Sequence, residues 1–144
     1  MRSIPIDQLS VGDAVETRKT VSETDVYLFA GISGDFNPLH VDAEYAKTTP
    51  FGARVAHGPL TLALCAGPLG TELPGLGTVA VSNHIEYLAP VFLGDTIAVR
   101  VEVAELDRER NRATMAITWR NQRGDEVARG AMVVKPPREA VELG

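Results

Sequence analysis

Six residues, Asp35-Phe36-Asn37-Pro38-Leu39-His40, bring together an acid, an amide and an imidazole. Gly34 comes just before them and Pro38 lies inside them. A glycine and an Asn-Pro step break a helix and hold the chain in a turn. Within a tight turn the three polar side chains can converge on one point. An acid and a neutral base that share one water are what a proton-transfer reaction needs. Either member of such a pair can take the proton, because the two act as a unit. A second stretch, Val55-Ala56-His57-Gly58-Pro59-Leu60, reads as the start of an apolar helix. Free N–H groups at a helix start can hold a developing negative oxygen.

Structural roles compete for the same residues. Asp35 can cap a turn, and Asn37 before Pro38 is a common turn signal. His57 is expected to hydrogen-bond backbone at the helix start rather than do chemistry. His84 is expected on a strand face, and Asp42 as a helix cap. Cys65 sits in an apolar run and reads as inert core. His40, His57 and His84 lack the spacing of metal ligands, so no metal site is expected.

Several elements must position these residues. A lead-in over residues 4–13 ends in the turn Val11-Gly12-Asp13, and residues 14–21 can form a first strand. Ser22-Glu23-Thr24-Asp25 fits a capping box ahead of a helix over 23–32, with Val26, Phe29 and Ala30 on one face. Asp42 is placed to cap a short helix over 43–47. A long helix is expected from Gly58-Pro59, where proline is tolerated in a first turn, fading at Gly67-Pro68. It is apolar nearly all round over 60–69, which predicts burial.

The pattern then changes to period 2. Val79, Val81, Asn83, Ile85 and Tyr87 alternate with their neighbours; Ile97, Val99, Val101 and Val103 form the cleanest strand. A charged hairpin at Asp107-Arg108-Glu109-Arg110-Asn111 leads to a strand over 113–120 with Met115, Ile117 and Trp119 on one face. A last strand follows over 126–135, and the tail over 136–144 is expected to be loose. Segregated helices and strands predict an α+β fold in one domain over 1–144, with a curved antiparallel sheet wrapped around the apolar helix.

Composition narrows the function classes. At 144 residues the chain suits one domain with a real core. Its net charge of −5 argues against nucleic acid as a partner. One cysteine allows no disulfide within the chain and fits a reducing cytoplasm. The N-terminus shows no signal core, and no apolar run is long enough to span a membrane, so no membrane partner is expected.

The residues resemble a known family. The run Ser33-Gly34-Asp35-x-Asn37-Pro38-x-His40-x-Asp42, then Tyr45-Ala46, Phe51-Gly52 and Val55-Ala56-His57-Gly58, is similar to the MaoC-like dehydratases, particularly the R-specific enoyl-CoA hydratases. Leu88-Ala89-Pro90-Val91-Phe92-x-Gly94-Asp95 adds a second, weaker match. The resemblance implies a hot dog fold and a homodimer with sheets joined edge to edge. It also implies reversible syn addition of water to a trans-2-enoyl thioester, giving the R-3-hydroxyacyl product. Asp35 and His40 map onto the residues that hold and activate the water, Asn37 onto the one that orients the site, and Gly58 onto the thioester-oxygen donor. Leu60, Leu64 and Val81 are the expected acyl-pocket residues, shared with the facing subunit. The thioester is substrate, and no cofactor is implied. Two features depart from the family: Pro59 follows His-Gly where many members have methionine, and Ala63 stands where some R-hydratases carry a serine that supports the acid. Other readings are a 3-hydroxyacyl-carrier-protein dehydratase of fatty-acid or polyketide synthesis and a hot dog acyl-CoA thioesterase. A subunit that binds acyl thioesters without chemistry is a fourth.

Overall fold

The computed structural model describes residues 1–142. A 3-10 turn over Ile6–Gln8 leads to β1 (Ala14–Thr20) and α1 (Glu23–Ser33). Two short helices follow, α2 (Pro38–Val41) and α3 (Ala43–Lys47), then α4 (Gly58–Ala63) and α5 (Ala66–Thr71). The chain ends in β2 (Val79–Tyr87), β3 (Thr96–Asp107), β4 (Arg112–Arg120) and β5 (Glu126–Lys135). All five strands form one antiparallel sheet in the order β1-β3-β4-β5-β2. Register shifts at Ala80/Ser82, Val103/Glu105 and Trp119/Arg120 mark irregularities that add twist and bend. The inner face carries Ile97, Val99, Val101, Val103, Met115, Ile117 and Trp119, all but free of solvent contact. Leu60, Cys65 and Leu69 of the central helical segment join them in a single core. The α+β hot dog architecture expected from the sequence is the one found.

Three details differ from the sequence expectation. The central helix is split, because Leu64 and Cys65 take tight i→i−3 bonds to Thr61 and Leu62. Pro68 explains the break: it has no N–H to offer the Leu64 carbonyl, and its ring crowds that group. The helix also runs past Gly67-Pro68 to Thr71. Its burial is one-sided: Leu60, Thr61, Cys65, Pro68 and Leu69 are buried, whereas Ala63, Ala66 and Gly67 face outward. Strand β2 alternates in sequence but is exposed along almost its whole length, since it lies at an edge of the sheet and, among the described residues, no element packs over most of its length. The tail expected to be loose begins packed. Pro136 and Pro137 are buried, Pro136 accepts a hydrogen bond from Asn111 Nδ2, and the Val141 N–H reaches Ser3 Oγ. Its last two residues lie outside the described residues.

Candidate active site

Helix α1 delivers the chain to the site. Ser22 and Asp25 close the capping box at its start: the Asp25 N–H donates to Ser22 Oγ and the Ser22 N–H to Asp25 Oδ2. Val26 and Ala30 are fully buried beneath it. Gly34 ends the helix at φ 77°, a left-handed conformation that glycine adopts without a Cβ penalty. Asp35 follows in the turn.

What the sequence shows as a turn contains a one-turn helix, α2. Pro38 is its first residue, and Asn37 caps it by accepting the Leu39 N–H on Oδ1 at 3.0 Å. The Asn37 N–H in turn donates to Asp35 Oδ1 at 3.1 Å. That bond holds one carboxylate oxygen and, among the described residues, leaves Oδ2 without a hydrogen bond. Helix α2 carries His40 inward, where it is buried. His40 Nδ1 lies 2.7 Å from the Val55 carbonyl oxygen. A carbonyl only accepts, so Nδ1 carries the hydrogen, and a neutral ring keeps its lone pair on Nε2. His40 Nε2 faces Asp35 Oδ2 at 3.7 Å. The gap is too long for a direct hydrogen bond. A water about 2.8 Å from both atoms would see them at roughly 80°, close enough to engage the two together.

A second segment closes over this pair. Val55 forms a bridge to Phe92, and the Ala56 N–H donates to the Val91 carbonyl. Gly58 is the first residue of α4, so no carbonyl within the helix lies behind its N–H. Among the described residues that N–H meets no acceptor in the chain. Pro59, next in line, has no N–H, which leaves Gly58 as the first donor of the helix. A methyl group at Gly58 would lie 3.0 Å from the tip of the Tyr87 ring. Gly58, Thr61 and Tyr87 border an apolar hollow of about 320 Å³, together with Phe51, Val55 and Val91. Burial pushes the Tyr87 hydroxyl above its ordinary titration range.

The structure thus brings Asp35 and His40 together, sets Asn37 as a cap beside them, and presents the Gly58 amide one residue after His57, whose ring stacks on His40. Leu60 and Leu64 line a second, smaller hollow of about 180 Å³ against Leu28, Phe29 and Ile32 of α1, with Ala63 on its rim. Val81 is not part of it; it lies on the exposed edge strand β2. His84 is exposed on the same strand, 3.7 Å from Glu86. Asp42 caps α3 by accepting the Glu44 and Tyr45 N–H groups. Cys65 is buried, and burial pushes its thiol up to about 11. Tyr87 has no place in the expected site. Its signal was its position, one residue ahead of the Leu88-Ala89-Pro90 match.

Asp35, His40 and His57 offer one potential metal-ligand atom each within 4.8 Å of one another. The two imidazoles are stacked, with centroids 3.9 Å apart and planes tilted by 30°. An ion in the plane of one ring would lie well out of the plane of the other, a poor geometry for shared ligation. Each ring also spends one nitrogen on a backbone carbonyl.

Comparison with known proteins identifies the family and the fold. The MaoC-like domain pattern matches residues 8–123. The chain is 44% identical to a 3-hydroxybutyryl-CoA dehydratase of Methylorubrum extorquens, over 96% of this chain and 88% of that protein. It is 37% identical to an (R)-specific enoyl-CoA hydratase of Aeromonas caviae, over 90% of this chain and 96% of that one. The solved structure of an unliganded R-hydratase from Pseudomonas aeruginosa superposes with a TM-score of 0.92 at 41% identity, covering 99% of this chain and 93% of the other.

Proposed function

Since the chain belongs to the MaoC-like dehydratase family, we propose that it is a hydro-lyase acting on acyl-CoA, adding water reversibly across a trans-2-enoyl thioester to give the R-3-hydroxyacyl thioester. The observation that carries this reading is the facing pair, Asp35 Oδ2 and His40 Nε2, with His40 Nδ1–H locked on Val55. Water is a poor nucleophile and an enoyl thioester a mild electrophile. The pair holds the water over C3, and one member takes its proton as the C–O bond forms. Charge then develops on the thioester oxygen, and the free Gly58 N–H offers it a hydrogen bond; losing one such donor in other enzymes costs about 3–4 kcal/mol. Returning the proton to C2 on the same face makes the addition syn. Atoms balance with water alone, so the step calls for no cofactor.

Acyl-CoA is favoured over a carrier-protein handle, because the relatives that match over 96% and 90% of this chain are named for CoA substrates. Relatives named as carrier-protein dehydratases match over 72% of it, at 33% and 29% identity. The active form is a homodimer joined along β2, whose free edge and exposed Val79 and Val81 need a partner. That partner would bring Val81 to the acyl pocket.

The test follows the enoyl absorbance of crotonyl-CoA on adding protein, with the product read by R- and S-specific hydroxyacyl-CoA dehydrogenases. Asp35→Asn keeps the shape and removes the charge, and should lower kcat by about 10²–10⁴-fold. Full activity in Asp35→Asn, or an S product, sinks the assignment. Turnover on matched CoA and carrier-protein substrates decides the handle.

A further inference from the structure

His57 lies outside the set that performs the hydration, yet two contacts tie it to that set and a third ties it to α1. Its Nε2 lies 2.9 Å from the Asp35 carbonyl oxygen, across 22 residues of sequence. The carbonyl can only accept, so Nε2 carries the hydrogen. Its ring stacks on His40, 3.9 Å away. Phe29 packs against His57 at 4.9 Å, so three rings form a column from α1 to the catalytic imidazole. With its residue only 1% exposed, His57 keeps Nδ1 buried and, among the described residues, without a partner.

We infer that His57 is a positioning residue, which fixes the Asp35 main chain and the face of the His40 ring so that Oδ2 and Nε2 meet on one water. This inference rests on the hydratase reading and deepens it. The need for such a brace is visible in the geometry. Asp35 sits in an exposed turn, and its side chain is half open to solvent. A carboxylate there swings with its main chain unless the main chain is anchored. The Asn37 N–H sets the carboxylate relative to α2. The His57 N–H sets the whole Asp35 peptide relative to α4, and so relative to Gly58. A flat ring with a donor at its far edge does both jobs at once; an unpartnered Nδ1 is a cost accepted for that shape.

Two substitutions separate the ring from the donor. His57→Phe keeps the stack and removes the N–H. His57→Gln places an amide donor near the Nε2 position and removes the ring. For His57→Phe, kcat on crotonyl-CoA should fall about 10- to 100-fold while KM moves less than about threefold, since a misplaced catalytic group costs the chemical step. His57→Gln should recover part of that loss, since it restores the donor but not the stack. A folded His57→Phe with wild-type kcat, a loss confined to KM, or a His57→Gln no better than His57→Phe would overturn the inference. Long-range proton–nitrogen spectra of the imidazoles give a readout that needs no turnover. In the wild type they should show the hydrogen on Nε2 of His57 and on Nδ1 of His40. The His40 tautomer, set by the Val55 carbonyl, should be unchanged in His57→Phe. Hydrogen on Nδ1 of His57 in the wild type overturns the inference even if the variants fail to fold. A wild type inactive on every enoyl-CoA sinks the functional reading instead, and the spectra then decide the brace alone.

Discussion

Replacing Asn37 separates a cap from a substrate contact. Its Oδ1 accepts the Leu39 N–H at 3.0 Å, and its own N–H, not its side chain, holds Asp35. The side chain therefore acts on α2, and through α2 on His40. Asn37→Ala leaves the Leu39 N–H without its acceptor, which costs about 1 kcal/mol. For a chain of 144 residues that is a fall in Tm of about 3 °C. His40 is anchored separately by its Nδ1–H bond to Val55, so the site survives. Even if the whole loss reached the transition state, kcat would fall no more than about tenfold, since 1.4 kcal/mol is a factor of ten. Asn37→Ser restores a capping oxygen of similar rank and no charge. Its Tm and kcat should both return to near wild type. Thermal unfolding and initial rates on crotonyl-CoA, measured on the same samples, give both numbers. Asn37→Ser with an unchanged Tm and a hundredfold lower kcat would refute the reasoning, because the amide nitrogen would then be touching substrate.

Gly58→Ala puts a methyl 3.0 Å from Tyr87 Cζ and 3.3 Å from Cε1 and Cε2, closer than ordinary contact. Overpacking of this kind costs about 1–3 kcal/mol; pairing it with Tyr87→Ala should destabilise less than the two single changes added, and strict additivity in urea melts counts against the contact. Cys65, with its thiol pushed up to about 11, should resist iodoacetamide at pH 7.5 in the folded protein and react quickly in urea; fast native labelling would show that the core opens there. Hydrogen bonds from Arg54 and Tyr27, with the Arg54 charge, hold Glu23 below its ordinary range. A depressed acid contributes stability that is present above its unfolded pKa and fades as pH falls through the folded one. The gap in urea midpoint between wild type and Glu23→Gln should therefore be largest near neutrality and close in acid, and a gap that stays constant with pH refutes the link.

The fold was legible where a local rule and the tertiary need coincide. Ser22 to Asp25 is a capping box in sequence and in space. Ile97 to Val103 alternates because one face of β3 meets the core, and the burial follows the alternation. Strand β2 has the same alternation but no covered face in a single chain. Period 2 reveals that a strand wants to bury a face, not which body covers it. The split central helix was half legible. Pro68 is visible in the sequence, yet its effect falls on Leu64, four residues earlier, and the chain resumes helix at Ala66. An apolar run read without that offset gives one helix instead of two.

The site was legible in its residue types and much less in its connections. Asp35, Asn37 and His40 stand within six residues, so any turn brings them close. Spacing does not say which oxygen of Asp35 is free or which nitrogen of His40 is bare. Those are set by the Asn37 N–H and the Val55 carbonyl, backbone groups that every residue type has and no motif can advertise. The same holds for His57, expected to bond backbone and found to do so, but on Asp35 itself rather than on its own helix start. A carbonyl on one nitrogen of each imidazole leaves each ring one defined lone pair. For His40 that lone pair faces an acid; for His57 it is buried. Two histidines of equal standing in the sequence are thus given different surroundings by two carbonyl oxygens, one turned toward an acid and one enclosed, and the division follows from where the chain passes.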